Sequence, residues 1–225
     1  MNVFDPHREV LPPAQIEIWP HLAPSVEIGL VLYGGTAGAL RLGHRASVDF
    51  DFFTEEPLDR EALFRSFPFL ARSRAVQDAQ DTLSVLAPSR AASVRLSFFG
   101  GIDIGRVGVP DRTADGVLEV ASLLDLLATK LKVMQQRIEA KDYQDVAAIL
   151  SSGVALEDGL AAAAAMYGPS FQASEAAKAL TYFEGGDLSD LPAMDREILT
   201  RAVARLRHIP VAGLISRSLS ANRKG

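Results

Sequence analysis

The chain has 225 residues, 48% of them hydrophobic and 23% charged, with a formal net charge of −5 and no cysteine. That make-up fits one large or two small globular domains, excludes disulfides, thiolate zinc sites and cysteine nucleophiles, and argues against a broad nucleic-acid surface, leaving room only for a local basic patch. The start, Met-Asn-Val-Phe-Asp-Pro-His-Arg, lacks the pattern of a signal peptide, and no apolar run approaches the roughly 18 residues of a membrane span. The expected location is therefore the cytoplasm, with no membrane partner.

Apolar positions after Pro12-Pro13 read as a short helix within residues 8–22. Ile28 to Tyr33 is a compact apolar run ending at Gly34-Gly35 and reads as a buried strand. Thr36 is the expected N-cap of a helix reaching Leu42, which Gly43-His44-Arg45 breaks. Val48 to Phe53 is the second expected strand. Leu58 to Phe67 reads as a helix, with Asp59 and Glu61 early and Arg65 late, as the helix dipole favours. Short strands are expected at 73–77, 82–87, 93–99 and 102–107, with Gly100-Gly101 as a hairpin signal between the last two. From Ser122 the pattern turns helical, over 122–137, 141–150, 156–166, 174–183 and 193–208, and the polar end, 220–225, reads as frayed. The expected class is α+β, with a mixed-sheet core over 1–120 followed by a helical bundle over 121–225 that packs on the core and completes the site.

Asp49 and Asp51 are the most informative residues. Side chains alternate along a strand, so the two carboxylates share one face, about 7 Å apart, while Val48, Phe50 and Phe52 share the other. Two such anions repel unless a cation lies between them. Mg²⁺ (or Mn²⁺), which is commonly held by one or two carboxylates plus substrate phosphates, answers that need. Gly34 and Gly35, just upstream, let backbone N–H groups approach a phosphate closely. The plain alternative makes Asp49 and Asp51 the wetted face of an edge strand. No P-loop and no serine-hydrolase elbow is present, and His7, His21 and His208 have no metal-site spacing.

A strand ending in Gly34-Gly35-Thr36-Ala37, a short helix, and a strand carrying Asp49-Phe50-Asp51-Phe52 together resemble the signature of the DNA polymerase β type of nucleotidyltransferase fold. A second motif sharpens the resemblance. Leu123 to Lys132 is followed by Arg137 and by Lys141-Asp142-Tyr143-Gln144-Asp145. This is similar to the second signature of the abortive-infection nucleotidyltransferase toxins of the AbiEii/AbiGii type, and the resemblance spans roughly residues 25–150. On one continuous helix, Lys130, Arg137 and Lys141 would share a narrow sector beside Leu123, Leu127, Leu131, Met134 and Ile138. Asp142 and Asp145 would then point into the apolar sector. In the alternative the helix breaks near Ala140 and Asp142 caps a new one starting at Tyr143.

The resemblance implies a bacterial, Mg²⁺-dependent enzyme that transfers a nucleotidyl group from a nucleoside triphosphate to an acceptor. It implies Asp49 and Asp51 as metal ligands and Gly34, Gly35, Thr36 and Arg45 as phosphate-side contacts. Lys130 would neutralise the triphosphate, with Lys132, Arg137, Lys141 and Asp145 as further nucleotide-binding residues. The superfamily places a third carboxylate on a later strand, and the matching run, Ser93 to Phe99, has none. In the toxin family that the chain resembles an Asp of the helical motif approaches the site, and the resemblance thus implies Asp142 as the general base, with Asp145 second. The implied acceptor is RNA (tRNA-like) or protein, and a cognate antitoxin is the implied partner. The alternatives are a small-molecule, antibiotic-type nucleotidyltransferase and a nucleotide-binding relative without turnover.

Overall fold

Phe50 and Phe52 are fully buried, and Asp49, Asp51 and Phe53 beside them are half-exposed, the period-two signature of a strand with one covered face. The computed structural model describes residues 2–222. They form two compact units, one from residues 2–105, 109–122 and 216–222, the other from 106–108 and 123–215.

The described residues of the first unit hold one mixed sheet of eight strands: β1 (Val3–Phe4), β2 (Val31–Tyr33), β3 (Asp49–Phe53), β4 (Arg74–Ala79), β5 (Thr82–Ala87), β6 (Val94–Phe99), β7 (Asp111–Thr113) and β8 (Glu119–Val120). The strand order is β1-β7-β8-β2-β3-β6-β5-β4. β3 runs antiparallel to β2 and parallel to β6. Four helices accompany the sheet: α1 (Pro13–Ile18), α2 (Pro24–Glu27), α3 (Gly34–Leu42) and α4 (Arg60–Ser66). Phe52 stacks on Phe98 with ring centroids 5.5 Å apart, and Trp19 and Phe67 close over Phe50 and Phe98. Asp59 caps α4 by accepting the Ala62 N–H at 2.9 Å.

Several boundaries differ from expectation. Val48 is 60% exposed and precedes β3 rather than packing with Phe50 and Phe52. Only Val31–Tyr33 of the 28–33 run is strand, because α2 ends at Glu27 and Gly29, with φ 72°, turns the chain first. Residues 102–107 form no strand. The Gly100 and Gly101 N–H groups bond to the carbonyls of Asp81 and Glu56, so the glycine pair docks on other loops instead of closing a hairpin.

The sheet is extended instead by β1, β7 and β8. Arg41 of α3 fixes that side: its guanidinium donates to the carbonyls of Ala121 and Val120 at 2.7 and 2.8 Å and to Asp111 Oδ2 at 2.9 Å. The end of the described chain is also docked. Ser218 Oγ and the Leu219 N–H bond to Glu55 at 2.7 and 3.1 Å, Ser220 Oγ bonds to Glu119 at 2.8 Å, and Leu219 and Ser220 are fully buried. The expected fraying therefore does not apply at Ser220, and residues 223–225 lie outside the described residues.

The second unit contains α5 (Leu123–Val133), α6 (Ala140–Ser151), α7 (Leu156–Tyr167), α8 (Ala173–Ala179) and α9 (Ala193–Arg205). α5 packs on α6 and α7, and α6 on α9. Buried Asp125 accepts the Val107 and Gly108 N–H groups at 2.9 and 3.0 Å and so ties residues 106–108 to α5. The helix expected through Arg137 stops at Val133, and α6 restarts after an extended Glu139. Among the described residues no single helix is long and apolar enough to cross a membrane.

Candidate active site

In the first unit the site is built where β2 turns into α3. Tyr33 pairs in register with Asp51, so the next residue, Gly34, sits under the Asp51 carboxylate. Gly34 has φ +74°, and a Cβ there would lie 2.6 Å from Asp51 Oδ2. A Cβ on Gly35 would lie 2.5 Å from Arg45 Nη2. The bare α-carbons thus leave the space that a carboxylate and a guanidinium occupy. Gly34, Gly35 and Thr36 are also the first three residues of α3. The leading N–H groups of a helix lack intrahelical partners and form the positive end of its dipole, which suits an anion.

Thr36 is not the N-cap, a position that falls to Tyr33. Its side chain is buried, with Oγ1 bonded to the Asp49 carbonyl and 2.8 Å from Ser47 Oγ. The hydroxyl therefore ties the head of α3 to β3 and leaves only the backbone N–H to serve a phosphate.

Asp49 and Asp51 lie on one face of β3 and are both partly exposed. Their neighbours on β6 are Arg95, in register with Asp49, and Ser97, in register with Asp51. Arg95 Nε stands 4.0 Å from Asp49 Oδ1. Ser97 is buried, and its hydroxyl is 3.1 Å from that of Ser84. The position of a third strand carboxylate is thus held by a cation and a neutral hydroxyl. Two partly exposed carboxylates on one strand face supply hard oxygen donors of the kind that suit a Mg²⁺ completing its shell with water and phosphate oxygens. They do not form a protein-only cage, and among the described residues no three His, Asp or Glu side chains converge as one.

In the second unit α6 places Asp142 and Asp145 on one side, three residues apart, facing Lys130 of α5. Lys130 Nζ is 2.8 Å from Asp142 Oδ1 and 2.5 Å from Asp145 Oδ2, and all three side chains are buried. Arg137, in the break between the helices, donates to both Asp142 oxygens at 2.9 and 3.1 Å. Asp142 is the third residue of α6 and not its cap. Burial alone would raise its carboxyl. The Arg137 hydrogen bonds and the charge and hydrogen bond of Lys130 outweigh burial and hold it below the usual carboxylate range. A carboxylate so engaged is a weak proton acceptor, which sits poorly with the expected general base.

Lys141 pairs with Glu139 at 2.8 Å, and Arg137 is 3.5 Å from the same residue. Lys132 turns elsewhere, bonding the Ser170 carbonyl and lying 5.8 Å from the Tyr167 ring centre. Lys130, Arg137 and Lys141 are therefore matched by Asp142, Asp145 and Glu139 and make no unopposed basic patch. One helix face was expected to carry these cations. The break at Val133 distributes them over two helices and a turn. Sequence reasoning missed Arg95 and Ser47. The signal for Arg95 was present: within Val94–Phe99 it alternates with Val94 and Leu96, as Asp49 does with Phe50.

The family profile described as nucleotidyl transferase AbiEii toxin, type IV TA system, matches residues 22–208. An uncharacterized protein of Aquifex aeolicus (strain VF5), aq_aa25, is 34% identical over 117 residues, covering 51% of this chain and 54% of that protein. The chain thus spans about half the length of this curated relative. The profile takes in both the Gly34–Asp51 corner and the Lys130–Asp145 cluster, and the chain belongs to the AbiEii nucleotidyl transferase toxin family of type IV toxin–antitoxin systems.

Proposed function

We propose that the protein transfers a nucleoside monophosphate from a nucleoside triphosphate to an RNA or protein acceptor, and that it acts as the toxin beside a cognate antitoxin. The observation that carries this reading is the Asp51 carboxylate standing over Gly34 at the head of α3, with Asp49 on the same strand face. Such a corner offers anion-binding N–H groups and cation-binding oxygens within one small space, which is what a metal-bound triphosphate requires. Asp49 and Asp51 would hold Mg²⁺ or Mn²⁺. That ion, when bound, supplies charge neutralisation at the phosphates. The N–H groups of Gly34, Gly35 and Thr36 hold and orient phosphate oxygens, and Arg45, above Gly35, adds a cation. The acceptor oxygen then bonds to the α-phosphorus as the bond to the bridging oxygen breaks, pyrophosphate leaves, and the acceptor's proton passes to solvent water. Asp142 serves as the anchor of Lys130 and Arg137 within its own unit.

A second reading, nucleotide binding without turnover, is favoured by one observation: Arg95 and Ser97 stand where a third carboxylate would receive the acceptor's proton. The experiment is incubation of the protein with each α-³²P-labelled nucleoside triphosphate, Mg²⁺ and cell extract, beside Asp49→Ala and Asp51→Ala. Label on RNA or protein that vanishes in both variants is the expected result. Label on small metabolites would assign a small-molecule enzyme. Nucleotide binding with no Asp-dependent labelling would replace the transfer reading by the second.

A further inference from the structure

Arg95 holds no part of the nucleotide in the transfer reading above, yet it is the cation that the sheet places against Asp49. Parallel pairing sets the two side by side on the same face, 4.0 Å apart, with side-chain exposures of 47% and 46%. Neither is locked by packing. We propose that Arg95 is a specificity-determining residue that competes with the divalent cation for Asp49, so that the Asp49–Asp51 pair takes up one metal ion, and takes it up together with a nucleotide. This rests on the reading of Asp49 and Asp51 as the metal-holding pair.

The argument is one of charge and geometry. Asp49 and Asp51 carry two negative charges, and Arg95 sets one positive charge 4.0 Å from Asp49. A dication added alone would leave the cluster with an excess positive charge and a guanidinium within a few ångströms, where like charges repel. Phosphate oxygens arriving with the ion reverse this balance. They also offer the guanidinium a better acceptor than Asp49, since its fork of donors matches phosphate geometry. Arg95 then turns from Asp49 to phosphate. A second ion finds no ligand on β6, because Ser97 is neutral, buried and bonded to Ser84.

The test is Mn²⁺ binding, read by electron paramagnetic resonance and calorimetry, for the wild type, Arg95→Gln, Arg95→Lys and Asp49→Ala, with and without α,β-methylene nucleoside triphosphates. Without nucleotide, Arg95→Gln is expected to bind Mn²⁺ about tenfold more tightly than the wild type, the size expected for removing one unit charge near a dication at a wetted site. Arg95→Lys, which keeps the charge, stays with the wild type. With Mn²⁺ and the analogue present, Arg95→Gln binds the nucleotide more weakly, and the wild type holds one protein-bound ion per chain. Equal Mn²⁺ affinity in the wild type and Arg95→Gln, with binding lost in Asp49→Ala, would overturn the role of Arg95 and leave the metal-holding pair standing. Mn²⁺ binding untouched by Asp49→Ala would overturn both. An unchanged thermal transition in Trp19 fluorescence establishes that each variant is folded.

Discussion

Gly34 and Gly35 are neighbours in the sequence but face different constraints. Gly34 is held at φ +74° beneath the Asp51 carboxylate, where a side chain is strained by the backbone and also meets Asp51 Oδ2. Gly35 lacks that positive φ, and an added methyl would meet the end of the Arg45 side chain, with Ser47 Oγ at an ordinary contact distance of 3.4 Å. Gly34→Ala should therefore lose about 2 kcal/mol or more of stability and displace Asp51. Gly35→Ala should stay within about 0.5 kcal/mol of the wild type while pushing Arg45 aside and weakening nucleotide binding. Urea unfolding followed by Trp19 fluorescence measures both, because the chain has one tryptophan, buried in the same unit. Equal stability losses would refute the asymmetry.

At the scale of elements, the break between α5 and α6 is what brings Lys130 and Asp142 together. A continuous helix would have left Asp142 and Asp145 in an apolar stripe. The turn at 134–139 lets α6 fold back so that its two carboxylates meet the Lys130 ammonium. Asp142→Asn removes one partner of this buried pair, and Asp145 still serves Lys130, so a loss of about 3 kcal/mol is expected, at the lower end for such changes. The helical circular-dichroism signal during denaturant unfolding reports it. The pH dependence follows from the direction of the Asp142 shift. Its folded value lies below the unfolded value of about 3.9. Its contribution is then present above that unfolded value and is lost as pH falls through the lower, folded one. Asp142→Asn should remove this acid-limb loss and leave the gap in stability to the wild type constant at higher pH. A gap that stayed the same down to the lowest pH would show that Asp142 is not held as a stabilised anion.

At the scale of the whole molecule, the first unit is completed by residues from the far end of the chain. Leu219 and Ser220 are buried in it, and Glu55 and Glu119 accept its hydroxyl and N–H groups. Deleting residues from 216 onward would remove a buried leucine and leave Glu119, itself fully buried, without those donors. The expected cost is about 3 kcal/mol or more, seen as a lower midpoint in the Trp19 transition. A truncated chain that melts like the full one would show the docking to be incidental.

The sequence by itself determined the parts that depend on local pattern. Alternation fixed Asp49 and Asp51 on one face, the glycine pair marked the turn into α3, and Asp59 announced its own helix. The two motifs that carry the resemblance were legible for the same reason, since each lies within one strand–helix–strand or helix–turn–helix segment. Tertiary structure decided the rest. β1, β7 and β8 are too short to show a period, and they exist because Arg41 and neighbouring strands supply partners from far along the chain, as Val3 with Arg112 and Leu32 with Val120. Strand order alone set Arg95 against Asp49, and the fold-back of α6 alone brought two expected site carboxylates against Lys130. Pairings between distant segments depend on which backbone groups and charges are left to satisfy once the chain is compact, and no local window of sequence contains that information.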